Sequence, residues 1–195
     1  MTKSDNRPLI LGLGGTTREQ STSQRALSLC LREAEALGAR TAVIGGPDLD
    51  IPMYVPDDET RDANTTRMVE LLRQCDGLIL CAPAYHGSVS GLVKNALDYV
   101  QDLSEDKRAY LDGRAVGCIA CGGGWQAAGQ TLSMLRAITH SLRAWPTPMG
   151  AMLNSSAPLF AEDGTCIDKS ADFQMKTLTG QVVDFAAMRR LADAR

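Results

Sequence analysis

Apolar positions in this chain follow two periodicities in turn. Short apolar runs lie at residues 8–13, 77–82 and 115–121, each closed by Gly or Pro, and Thr41–Ile44 supplies a further strand. Such runs predict strands buried on both faces. Between them the spacing changes. From Ser21, Leu27, Cys30, Leu31, Ala34 and Leu37 recur at helical intervals and stop at Gly38, a residue suited to a helix C-terminus. Met68, Leu71, Leu72 and Cys75 mark a second helix, with Asn64 as its expected N-cap. Residues 92–100 predict a third helix and residues 131–142 a fourth, with Leu132, Leu135, Ile138 and Leu142 on one face. The proline-rich residues 145–153 are expected to be extended. Residues 173–191, with Met175, Leu178, Val182, Phe185 and Ala186 at near-helical spacing, predict a closing helix.

Strand and helix therefore alternate about five times, which predicts parallel strands joined by right-handed helical crossovers. The expected fold class is α/β: a doubly wound, five-stranded parallel sheet of flavodoxin-like order 2-1-3-4-5, helices on both faces, in a single domain over residues 1–195. Sheets of this kind bind ligands beyond the carboxyl ends of the strands, where the strand order reverses. The loops after the first, third and fourth strands are thus the places to look for chemistry.

Composition narrows the function. The net charge is -3, with acidic and basic residues interspersed, so no polyanion-binding face is expected and nucleic acid is excluded as a partner. No apolar run approaches the roughly 20 residues that span a bilayer, and the start MTKSDNRPLI lacks the features of a signal peptide. A cytoplasmic protein without membrane contact is expected. In that reducing setting the 6 cysteines read as buried thiols. Cys118 and Cys121 have the spacing of a thiol redox pair or half a zinc site, but Cys118 lies inside a predicted strand and no second Cys/His pair completes a metal set. No metal site is expected.

The first loop, residues 14–24, is dense in glycine and hydroxyls. Thr16, Ser21, Thr22 and Ser23 can donate hydrogen bonds, Arg18 adds a charge-assisted contact, and the start of a helix offers free amides. Together these suit a phosphate. Helix capping is the ordinary use of such side chains, but there are more of them than a cap requires. The third glycine of a dinucleotide fingerprint is missing, as is the Gly-Lys-Ser/Thr of a P-loop. A singly phosphorylated nucleotide remains.

The most specific string follows the third strand. Pro83-x-Tyr85-His86-Gly87-Ser88, then Gly91-Leu92-Val93-Lys94-Asn95-Ala96-Leu97-Asp98, resembles the NADPH-dependent FMN reductase family, which includes flavin, quinone, azo-dye and chromate reductases. With the first loop, the resemblance covers about residues 8–150. It implies FMN and NADPH (or NADH) as cofactors, with hydride passing from the nicotinamide to FMN. It also implies that Pro83, Ala84, Tyr85, His86, Gly87 and Ser88 wrap the flavin ring and that Gly122, Gly123 and Gly124 close over it. Lys94, Asn95 and Asp98 take support roles, and Trp125 lines the ring, a subunit contact or the core. His86 has no acidic or histidine neighbour to make it an acid or a ligand, and His140 falls inside a helix as a structural residue. No catalytic side chain is assigned, because the cofactor carries the chemistry. The family implies a homodimer or homotetramer. Two readings stand beside a flavin reductase: an FMN-containing quinone, azo or chromate reductase, and a flavodoxin-type electron carrier without NAD(P)H oxidation. The small net charge speaks against the carrier.

Overall fold

The computed structural model describes residues 6–18 and 20–193; residues 1–5, from which part of the N-terminal reading comes, lie outside the described residues together with Glu19 and residues 194–195. The chain runs β1 (Leu9–Gly14), α1 (Thr22–Ala36), β2 (Arg40–Gly45), α2 (Ala63–Gln74), β3 (Gly77–Tyr85), β4 (Ser88–Val89), α3 (Gly91–Asp98), β5 (Ala115–Gly122), α4 (Trp125–Ser141), β6 (Trp145–Pro146), β7 (Ala151–Asn154) and α5 (Lys169–Asp193). Short 3-10 turns occupy Gly46–Leu49 and Tyr99–Leu103. The strands form one α/β sheet of order β2-β1-β3-β5-β6, with β4 antiparallel to β3 and β7 parallel to β5.

Strand geometry sends alternate side chains to opposite faces, and the two faces are covered by different helices. Leu9, Leu11 and Leu13 pack with α2, α3 and α4 residues such as Met68, Val93 and Leu135. Ile10, Ile79 and Ile119 face α1 and α5 through Leu27, Met175 and Leu178. Because β1, β3 and β5 are covered on both sides, they carry almost no polar residue. Removing a side chain such as fully buried Leu78 is worth about 2–5 kcal/mol.

The sheet departs from the expected five-strand order in two places. The edge strand is divided, with Pro148 in the gap, so β6 pairs with the start of β5 and β7 with its end. The free edge is then covered from α5: the Met149 and Met152 amides donate to Gln181 Oε1 and Gln174 Oε1, each at 3.0 Å. The second departure is the small strand β4, which forms a hairpin with the end of β3 where a loop is expected.

Helix boundaries also differ. Asp62, not Asn64, caps α2; its carboxylate accepts the Thr65 amide at 2.7 Å. That hydrogen bond holds the Asp62 carboxyl below the usual range. The fourth helix starts at Trp125 instead of Thr131, because Gly124 in extended conformation already ends the loop. β3 does not stop at Pro83 but continues to Tyr85. Among the described residues no helix is long and apolar enough to cross a membrane.

Candidate functional site

A crevice opens at the carboxyl end of the sheet because the central strands end at different heights. β1 pairs with β3 only as far as Gly14 and Cys81, whereas β3 continues beside β5 to Pro83 and Cys121. From β1 the chain turns through α1 to β2 on one side, and from β3 through α3 to β5 on the other. The point where the order reverses therefore lies above the β1 and β3 ends. A cleft of about 120 Å³ sits there, lined from three loops: Thr16, Arg18, Ser21, Thr22 and Ser23; Pro83, Ala84 and Tyr85; Cys121, Gly122 and Gly123; and, from the end of β7, Ser155.

The turn after β1 is shaped by its glycines. Gly14 has φ 131° and Gly15 φ 97°, and a Cβ on Gly14 would lie 1.9 Å from Cys81 O. The Gly15 amide donates to that same carbonyl at 2.9 Å, which ties the loop to β3. Thr16 closes a local turn with Arg18. Ser21 caps α1: its Oγ accepts the Gln24 amide at 3.2 Å and lies 3.2 Å from Ser23 Oγ. The Arg25 amide reaches Ser21 O, so the Thr22 and Ser23 amides are left without an acceptor in the helix. No acidic residue occupies the first turn. One helix start thus carries both a side-chain cap and free amides.

After β3 the chain makes a tight antiparallel hairpin, Tyr85 facing Ser88. His86 has φ 50° and Gly87 φ 86°, the paired positive angles that suit a two-residue hairpin turn. The His86 side chain is exposed at this tip and lines neither cleft; Ser88 also lies outside both, its carbonyl accepting from Thr131 Oγ1 at 3.3 Å. Gly87 and Gln130 adjoin on the wall of a second cleft of about 460 Å³, lined by Gly87, Gly123, Gly124, Gln126, Ala127 and Gln130. Gly123 belongs to both clefts, which makes them neighbours.

Gly123 and Gly124 differ from Gly14 in kind. Neither has φ in the left-handed region, and a Cβ on either would meet nothing within 4 Å. The protein's own packing gives no reason for glycine at either position.

The support residues lie apart from the clefts. Lys94 and Asp98 form an exposed ion pair at 2.6 Å. Buried Asn95 holds the loop after β2, accepting the Tyr54 amide at 2.9 Å and donating to Pro52 O at 2.8 Å. His140 is exposed in the last turn of α4. Trp125 is 60 % exposed, so it does not fill the core. Cys118 and Cys121 point to opposite faces of β5 and belong to different core clusters. Cys121 Sγ instead lies 3.9 Å from Cys81 Sγ. Burial pushes the Cys30 thiol up to about 12 and the Cys118 thiol up to about 11. These groups stay protonated at neutral pH and supply no thiolate.

A family model described as NADPH-dependent FMN reductase matches residues 8–158. The chain belongs to the NADPH-dependent FMN reductase family. It is accordingly a nicotinamide-dependent flavin oxidoreductase, with FMN and NADPH as the nucleotides of the family. It is 32% identical over 139 residues to an FMN-dependent NADPH-azoreductase of Staphylococcus haemolyticus (strain JCSC1435), a match covering 70% of each chain. The corresponding protein of Staphylococcus aureus (strain USA300) is 33% identical over 139 residues, again 70% of each chain. Among solved structures, the flavoenzyme NAD(P)H:(acceptor) oxidoreductase FerB of Paracoccus denitrificans superposes with TM-score 0.76 at 18% identity, covering 93% of this chain and 98% of that one. RosB superposes with TM-score 0.77 at 18% identity, covering 93% and 79%. These two likenesses carry the flavodoxin-like fold.

The donor set of the FMN reductase-family site fits the cofactor. Hydroxyls, free helix amides and an arginine surround one end, and bare backbone offers a flat surface at the other. Sequence reasoning missed Ser155 and Cys121. Ser155 follows a proline-rich stretch with no motif; its amide donates to Gly122 O at 2.8 Å, a contact only the β5 and β7 pairing creates. Cys121 was read as a buried thiol, and its place at the cleft floor follows from where β5 ends.

Proposed function

We propose that the cleft above β1, β3 and β5 holds FMN, with the phosphate at Ser21, Thr22, Ser23 and Arg18 and the ring against Ala84, Tyr85, Gly122, Gly123 and Gly124. The observation that carries this reading is the meeting of the three loops in one cleft, with phosphate donors on one wall and side-chain-free backbone on another. When bound, FMN supplies the group that takes a hydride from NADPH and returns the electrons to an acceptor.

The chain's own part is binding and orientation. The Thr22 and Ser23 amides and the Ser21 and Ser23 hydroxyls bind the phosphate oxygens, while Arg18 neutralises their charge. Thr16 holds the turn that carries Arg18. The hairpin fixes Tyr85 and Gly87 at the ring side, with His86 contributing its backbone angle in place of a side-chain contact. Pro83 and Ser88 act from either side of that hairpin by shaping it.

Two readings of the acceptor follow. In the first the protein reduces free FMN; in the second FMN stays bound and an azo compound, quinone or chromate is reduced. The names of the Staphylococcus relatives favour the second. A spectrum of the purified protein, titrated with FMN and then NADPH, tests both. Retained flavin colour with ping-pong kinetics supports a bound cofactor, and a colourless protein that turns over free FMN supports the flavin reductase. Absence of FMN binding, or no fall of nicotinamide absorbance, overturns the proposal. The same reading takes the chain to be one cytoplasmic domain working as a homodimer or homotetramer, supported by exposed Phe173 and Met188 on α5; light scattering gives the count.

A further inference from the structure

The second cleft has a chemistry that the phosphate cleft lacks. Its walls are glycine and alanine except for Gln126 and Gln130, which lie one helical turn apart on α4 and so share a face. Among the described residues neither side-chain amide has a hydrogen-bond partner in the protein. The hairpin tip lies beside Gln130, whose Oε1 a Cβ on Gly87 would meet at 3.4 Å, so this amide sits at the rim of the cleft. A slot with two free carboxamides and otherwise bare walls matches a flat ring whose edge presents a carbonyl beside an N–H. A glutamine amide offers one acceptor oxygen and two donor hydrogens, the complement of that edge.

We infer that Gln126 and Gln130 form an amide-reading subsite for such a ring edge, and so set ring specificity in the reaction proposed above, on which this inference rests. Two nucleotides of the reaction carry the pattern: the imide edge of the flavin and the carboxamide of the nicotinamide. The flavin is the expected occupant, because the slot shares Gly123 with the phosphate cleft. A ring tethered to a phosphate in one cleft is thereby led into the other.

The test compares Gln126→Leu, Gln130→Leu and the double variant with the unaltered protein. Both residues are exposed, so thermal melts are expected to superimpose. Dissociation constants for FMN and for riboflavin are read from flavin fluorescence, and KM for NADPH from steady-state turnover. Loss of one such hydrogen bond is expected to weaken FMN about three- to tenfold. Riboflavin should weaken by the same factor, since the phosphate cradle is untouched, while KM for NADPH holds. A rise in KM for NADPH with flavin affinity unchanged also supports the subsite and assigns it to the carboxamide. Variants that move neither constant by as much as twofold overturn it. If the unaltered protein binds no FMN, the parent reading falls in the first titration, before any variant is compared.

Discussion

Gly14 and Gly15 after β1, and Gly123 and Gly124 after β5, bound the same crevice, yet they answer to different constraints. The first pair has positive φ, and Gly14 presses against the Cys81 carbonyl with no room for a Cβ. The second pair has unremarkable φ and open space where side chains would stand. One turn is glycine-rich because the backbone could not otherwise make it. The other is glycine-rich although the backbone could take side chains, which is what the proposed flavin contact requires. A glycine run is thus evidence for a ligand only after the fold has been asked whether it needs the glycines itself.

The comparison can be broken most directly at its two poles. Gly14→Ala combines strain with a backbone clash and should cost about 4 kcal/mol or prevent folding, read as the urea midpoint or soluble yield. Gly123→Val should leave that midpoint within about 0.5 kcal/mol but weaken FMN by at least about tenfold, equivalent to roughly 1.4 kcal/mol. If Gly123→Val destabilises as Gly14→Ala does, the distinction fails.

Smaller effects sharpen the phosphate end. Ser21→Ala removes the α1 cap and should lower stability by about 1 kcal/mol, while weakening FMN more than riboflavin. Arg18→Gln should leave stability unchanged and reduce FMN affinity several-fold at low salt, with the difference shrinking as ionic strength rises. His86→Asn is expected to change both FMN affinity and the melting midpoint least, since asparagine accepts the same left-handed turn conformation. A large loss of flavin binding there would assign the imidazole a contact that its exposed position does not predict.

Much of this arrangement was legible in the residues themselves. Two-sided apolar runs such as residues 77–82 declare buried parallel strands, because only a strand covered on both faces tolerates no polar position. The hydroxyl-rich turn before α1 declares a helix start with free amides and short donors, because these are local properties. The string from Pro83 to Ser88, with Gly91 to Asp98 after it, carries the family resemblance, though not the hairpin that residues 85–88 form. That hairpin turns on His86 at positive φ, an uncommon state for a residue with a side chain, which the letter H does not announce.

What the amino-acid order settled by itself is local: where the main strands and helices lie, which faces are apolar, and that one helix start is crowded with short hydroxyl donors. What only the tertiary structure decided is who meets whom across the sheet. Ser155 reaches the cleft because β7 registers with the end of β5. The four residues from Cys118 to Cys121 divide between opposite faces because a strand reverses its side chains at each step. The open space at Gly123 and Gly124 shows only in the fold, because it is set by parts of the chain far away in sequence.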